Sequence, residues 1–101
     1  MRIILFFDLP MDTLKQKRVY VKFLKSLKRI GFVMLQKSVY VKLSINESNV
    51  EMTKKIIKTK LPNEGIVSIL VITETQFSTI EHLIGEFNTD VLNTEDRIVE
   101  I

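Results

Sequence analysis

Apolar positions along this chain follow two different periods, and the places where the period changes mark out its elements. RIILFFD at 2–8 carries five consecutive apolar residues, 3–7, which leaves neither face of a strand for water and predicts a central position in a sheet. Pro10 forbids further ladder pairing two residues beyond Asp8. From 13 to 30 the period becomes helical: Leu14, Val21, Leu24 and Leu27 form the expected buried stripe, widened by Tyr20, Phe23 and Ile30. Thr13 and Gln16 stand in capping-box spacing at its start, and Gly31 stops it.

Residues 31–44 alternate. Val33, Leu35, Val39, Val41 and Leu43 share one phase; Phe32, Met34, Gln36, Ser38, Tyr40 and Lys42 share the other. This reads as two strands joined by a tight bend or bulge at 36–38. Ser48 and Glu51 have capping-box spacing and predict a second helix to about Lys60, with Val50, Thr53, Ile57 and Leu61 on one face. IVSILVIT at 66–73 is again nearly all apolar and is expected to be central too. With right-handed crossovers, the order strand, helix, strand, strand, helix, strand gives an α+β, ferredoxin-like βαββαβ sandwich with both helices on one face.

Beyond that core, 76–87 suits a helix on Phe77, Ile80, Leu83 or Ile84, and Phe87, with HLIG at 82–85 equally readable as a short strand. Residues 88–96 are polar and acidic and read as a crossing segment, and Arg97, Ile98, Val99, Glu100 and Ile101 form an extra C-terminal strand. The expected organisation is therefore a core with its extension at 1–87 and a partner-pairing segment at 88–101. Two helices cover only one face of a sheet whose first and last core strands are apolar on both. The open face is expected to dimerise with a second copy, and the terminal strand to pair with an edge there.

Composition narrows the chemistry. A chain of 101 residues is one domain, and two Pro, three Gly and a 46% apolar share describe a folded one. The absence of Cys excludes disulfides, thiolate nucleophiles and Cys-based zinc sites, and the single His82 leaves no paired-histidine metal site. The opening apolar run is too short for a signal peptide or a membrane span, so a soluble, cytoplasmic protein is expected.

Charge is divided unevenly. Residues 1–45 hold ten Lys/Arg against two acids, whereas 46–101 hold five against ten. Within the first helix Lys15, Arg18, Lys22, Lys25 and Arg29 recur at steps of 3, 4, 3 and 4, joined by Lys17 and Lys28, and no acid occurs between 13 and 30. A face selected only for solubility mixes signs, because like charges at these spacings repel by a few tenths of a kcal/mol per pair. The stripe therefore reads as a phosphate track or, more plainly, as a solvated face. Asp8, at the end of a central strand, stands either beside a cleft or at the opening of a polar turn.

Asp8 at the strand end, the basic first helix, GF before a bent hairpin, QKSVYVKL at 36–43 and the final RIVEI together resemble the small CRISPR-associated adaptation proteins (Cas-two). FFDLP at 6–10, SVYVKL at 38–43, and TETQF followed by LIGE at 73–86 are most similar to members from type II systems. The resemblance implies a homodimer with sheets packed face to face and two Asp8 carboxylates meeting near the dimer axis to bind Mg2+ or Mn2+. It implies a C-terminal strand that reaches the partner's sheet. It also implies work with the CRISPR integrase (Cas-one) to capture duplex DNA prespacers and insert them as new spacers. Some members cleave single-stranded RNA or duplex DNA, and others act as scaffold. The residues themselves supply no catalytic His and no second carboxylate beyond nearby Asp12, so any nuclease is expected to be slow. Two other readings share the fold: a toxin-like VapD-type ribonuclease, and a non-enzymatic ferredoxin-like regulatory dimer. Neither a regulatory role nor the fold accounts for seven cations and no acids on one helix.

Overall fold

The computed structural model describes residues 1–85. The expected crossing segment at 88–96 and the terminal strand at 97–101 lie outside the described residues. The elements run β1 (Arg2–Asp8), α1 (Leu14–Ile30), β2 (Val33–Gln36), β3 (Val39–Leu43), α2 (Glu47–Lys58), β4 (Ile66–Ile72) and α3 (Glu74–Ser78). The strands form one antiparallel sheet in the order β2-β3-β1-β4. This is the ferredoxin-like α+β arrangement expected from the order of elements.

Local chemistry explains most boundaries. Thr13 accepts from the Gln16 backbone amide while the Gln16 side chain accepts from the Thr13 amide, closing the expected capping box. At the other end Gly31 takes φ 115, a left-handed conformation that lets its amide reach the Leu27 and Lys28 carbonyls. The hairpin carries its irregularity where the alternation breaks: the register shifts between Met34 and Gln36, and Ser38 adopts φ 66.

The sheet separates two cores. On the helix side Ile3, Leu5 and Phe7 pack with Phe23, Leu27, Tyr40, Val50 and Ile57. Phe7 lies at the centre of an aromatic group, edge-on to Phe23 at 5.4 Å and to Tyr20 at 6.2 Å, and stacked on Tyr40 at 5.9 Å. Burial, with Tyr20 close by, pushes the Tyr40 hydroxyl above its ordinary value, so this ring is a neutral packing group at physiological pH. On the other face Ile4, Leu35 and Val41 pack against Phe77 of α3.

Five expectations need correction. Leu14 and Val21 are not in the core: they are 65% and 49% exposed, because successive turns of 100° carry them round to the outer side beside Arg18 and Lys25. The second helix is capped by Asn46, whose side chain accepts from the Asn49 amide at 2.8 Å, so Ser48 already lies in the first turn. Leu61 stands beyond its last residue, Lys58, and is exposed. β4 is not central but an edge strand among the described residues. The helix expected over 76–87 is the shorter α3, started by a Thr73–Gln76 capping box and ended by Thr79; 82–85 is not a strand.

α3 also answers part of the open-face argument, since it covers the end of that face near the start of β1. It is held there by Arg2, which is 2% exposed; the Nε–H donates to Glu74 Oε2 at 2.9 Å and the guanidinium lies 4.3 Å from the Phe77 ring centre. On the rest of that face Phe6, Leu70 and Ile66 remain 42%, 52% and 66% exposed, Leu70 opposite Ile4 and Ile66 opposite Asp8.

Candidate nucleic-acid interface and strand-end carboxylate

Asp8 is the last residue of β1 and is exposed. Strand alternation sends its side chain to the face shared by Ile4 and Phe6, away from α1 and α2. Its backbone is fixed from three directions. Phe7, one residue earlier, is anchored among the rings described above. The Phe7 amide donates to the Ser38 carbonyl at 3.1 Å, where the hairpin bends, and Asp8 pairs with Ile66 across β4. Gly65, with φ +92, closes the third side: a Cβ there would lie 2.5 Å from the Asp8 carbonyl oxygen. The carboxylate thus projects from a rigid strand end, rimmed by the exposed Ile66 and Phe6.

Lys15, Lys17, Arg18, Lys22, Lys25, Lys28 and Arg29 are all exposed along α1. Lys17, Arg18, Lys22 and Lys25 surround the exposed Val21 in a shallow depression. None of the seven forms a salt bridge with another described residue. The stripe therefore stands as a ridge of uncompensated positive charge. It faces away from the sheet, so Asp8 and the ridge lie on opposite sides of the molecule, separated by the sheet and by a helix layer roughly 10–12 Å thick. Within one chain they do not converge on a single site.

A divalent ion is a hard cation that takes six or more oxygen ligands. Among the described residues no group of three His, Cys, Asp or Glu side chains could hold one. One chain brings a single exposed strand-end carboxylate; the donor chemistry suits Mg2+ or Mn2+ only if a second chain brings another. The residues that sequence reasoning missed here are Gly65 and Ser38, which position Asp8. A glycine at the foot of a strand was visible, but its contact with residue 8 is a tertiary fact. No helix among the described residues is long and apolar enough to cross a membrane.

The class these features define is a small ferredoxin-like domain with one strongly cationic helix and a lone carboxylate at the end of a central strand. The chain belongs to the CRISPR associated protein Cas2 family, whose model matches residues 1–80. It is 46% identical to the CRISPR-associated endoribonuclease Cas2 of Treponema denticola, over 98% of both chains. Likeness to the protein of the same name from Ligilactobacillus salivarius is 38%, again over 98% of both. A Streptococcus mutans relative, also so named, is 42% identical over 98% of this chain and 91% of its own.

Proposed function

We propose that two copies of this chain form a CRISPR adaptation subunit that binds duplex DNA on α1 and, with the CRISPR integrase, captures and inserts new spacers. The observation that supports this most directly is the α1 ridge, with seven exposed cations and no acid from 13 to 30. Lysine and arginine in a row without base-reading partners neutralise phosphates and do not select sequence. The five cations of the outer stripe, Lys15 to Arg29, span roughly 21 Å of helix at about 1.5 Å per residue, enough to follow several phosphates.

Dimerisation is part of the same reading. Phe6 and Ile66 beside Asp8, with Leu70 further along β4, leave an apolar area that a second sheet would bury, bringing two Asp8 carboxylates together. Mg2+ or Mn2+ held there, its remaining positions filled by water, would supply charge to polarise a phosphoryl oxygen and acidify a bound water. The chain's own part is to hold the carboxylates rigidly through Phe7, Ser38 and Gly65. The relatives' name, endoribonuclease, makes single-stranded RNA the first substrate to try for cutting, beside duplex DNA.

The test of binding is electrostatic. Duplex affinity of the wild-type protein should fall with salt at a slope of about −0.9 per phosphate neutralised. Replacing Lys15, Lys22 and Lys25 by Gln should flatten that slope by up to roughly 3 units per chain. Unaltered affinity and salt dependence in the triple variant would return the ridge to a solvated face.

A further inference from the structure

The α1 ridge is one side of a broader cationic surface. α1 and α2 leave a furrow between them that runs from the strand end to the far end of the helix layer. Its first stretch, about 510 Å³, is lined by Lys15, Lys22 and Lys60, with Glu64 at its margin. Its second, about 390 Å³, is lined by Arg29, Lys42 and again Lys60, with no acid. Ser26 and Lys60 belong to both stretches, so the two are continuous.

The other polar groups in the second stretch are already engaged within the fold. Ser26 Oγ donates to the Lys22 carbonyl at 3.1 Å, and Thr53 Oγ1 to the Asn49 carbonyl at 2.9 Å. Asn49 Oδ1 accepts from Ser44 Oγ at 2.6 Å. Among the described residues Lys42 Nζ donates only to the Leu43 carbonyl, at 3.3 Å, a neutral partner that does not compensate its charge. What this second stretch offers an incoming ligand is therefore positive charge over an aliphatic wall, Met52 and Ile56, both exposed.

We infer that this furrow is a second phosphate track, gripping the backbone of the same duplex that lies on the α1 ridge. The inference rests on the duplex-binding reading of that ridge and adds Lys42, from β3, and Lys60, from the turn after α2, to its footprint. An acidic polypeptide shares the charge but fits less well. Arg29 and Lys22 belong to the ridge and the furrow alike, so the positive surface wraps one helix, as suits a ligand with phosphates on two strands.

The experiment compares salt slopes for a mixed-sequence DNA duplex by fluorescence anisotropy, using the full chain. Two double variants are needed, Lys42→Gln with Lys60→Gln in the furrow and Arg18→Gln with Lys25→Gln on the ridge alone, both checked by thermal melting. The furrow variant should flatten the slope by up to roughly 1.8 units per chain, comparable with the ridge variant. If the ridge variant flattens the slope and the furrow variant leaves it at the wild-type value, the second track is overturned and duplex binding by the ridge stands. If neither moves it, the reading of the ridge falls first and the furrow with it. Poly-glutamate serves as the competing probe: if the furrow variant loses affinity for it while keeping the wild-type DNA slope, the occupant is an acidic chain and the inference is wrong.

Discussion

Protein carrying Asp8→Asn should bind duplex DNA with the wild-type salt slope yet lose divalent-dependent cutting of RNA or DNA by about a hundredfold or more. That factor is the upper end of what losing even an outer-shell partner costs a metal site. The substitution keeps size and shape and removes only a charge on an exposed side chain, so the fold has no reason to suffer. The ridge lies on the opposite side of the sheet, which is why binding and cutting should separate so cleanly. Light scattering should give twice the 11.8 kDa chain mass for both proteins. Undiminished cutting by the Asn protein would place the chemistry on other groups, and a monomer mass would remove the paired carboxylates.

Gly65→Ala should be among the most damaging single-methyl changes in the chain, costing about 2–4 kcal/mol. The backbone there is left-handed, at φ +92, which already disfavours a side chain. More decisively, the new Cβ would meet the Asp8 carbonyl oxygen at 2.5 Å and Leu9 Cδ2 at 2.7 Å. The leucine methyl is able to move; the carbonyl moves only if the end of β1 moves with it. For a domain of this size the melting temperature should drop by roughly 10 °C or more. Gly85→Ala is the control. Its φ is similar, +89, but nothing among the described residues lies within 4 Å of the added Cβ, so it should cost only about 1 kcal/mol. Equal losses in the two proteins, measured by thermal melting, would mean that backbone conformation and not the contact with Asp8 decides the cost.

Features set by neighbours in sequence were legible; features set across the fold were not. The Thr13–Gln16 box, the Gly31 stop and the hairpin irregularity are local signals, and each appears where the pattern placed it. The basic ridge was visible because cations at helical spacing without acids leave a mark that needs no tertiary knowledge. Leu14 and Val21 read as inward because they are apolar, although the phase of Phe23 and Leu27 turns them outward. The Thr73–Gln76 box is an equally local signal, masked by the longer apolar periodicity of 76–87. Arg2 and Glu74 stand 72 positions apart, and no local pattern announces that a strand's first residue will pin a helix to the far face. The furrow stayed hidden for the same reason: Arg29, Lys42 and Lys60 sit on α1, on β3 and in the turn after α2, and meet only once the sheet has formed.

Among the described residues the two outer strands of the sheet are unequal, and this bears on how a second copy could add to it. β2 has four residues and a register break between Met34 and Gln36, features that blunt an edge against further strand addition. β4 has seven residues, and its paired register along β1 runs unbroken. A sheet with two receptive edges can grow head to tail into a filament. Among the described residues only β4 offers such an edge, and two copies that paired reciprocally through it would use both at once, leaving no edge for a third copy to extend.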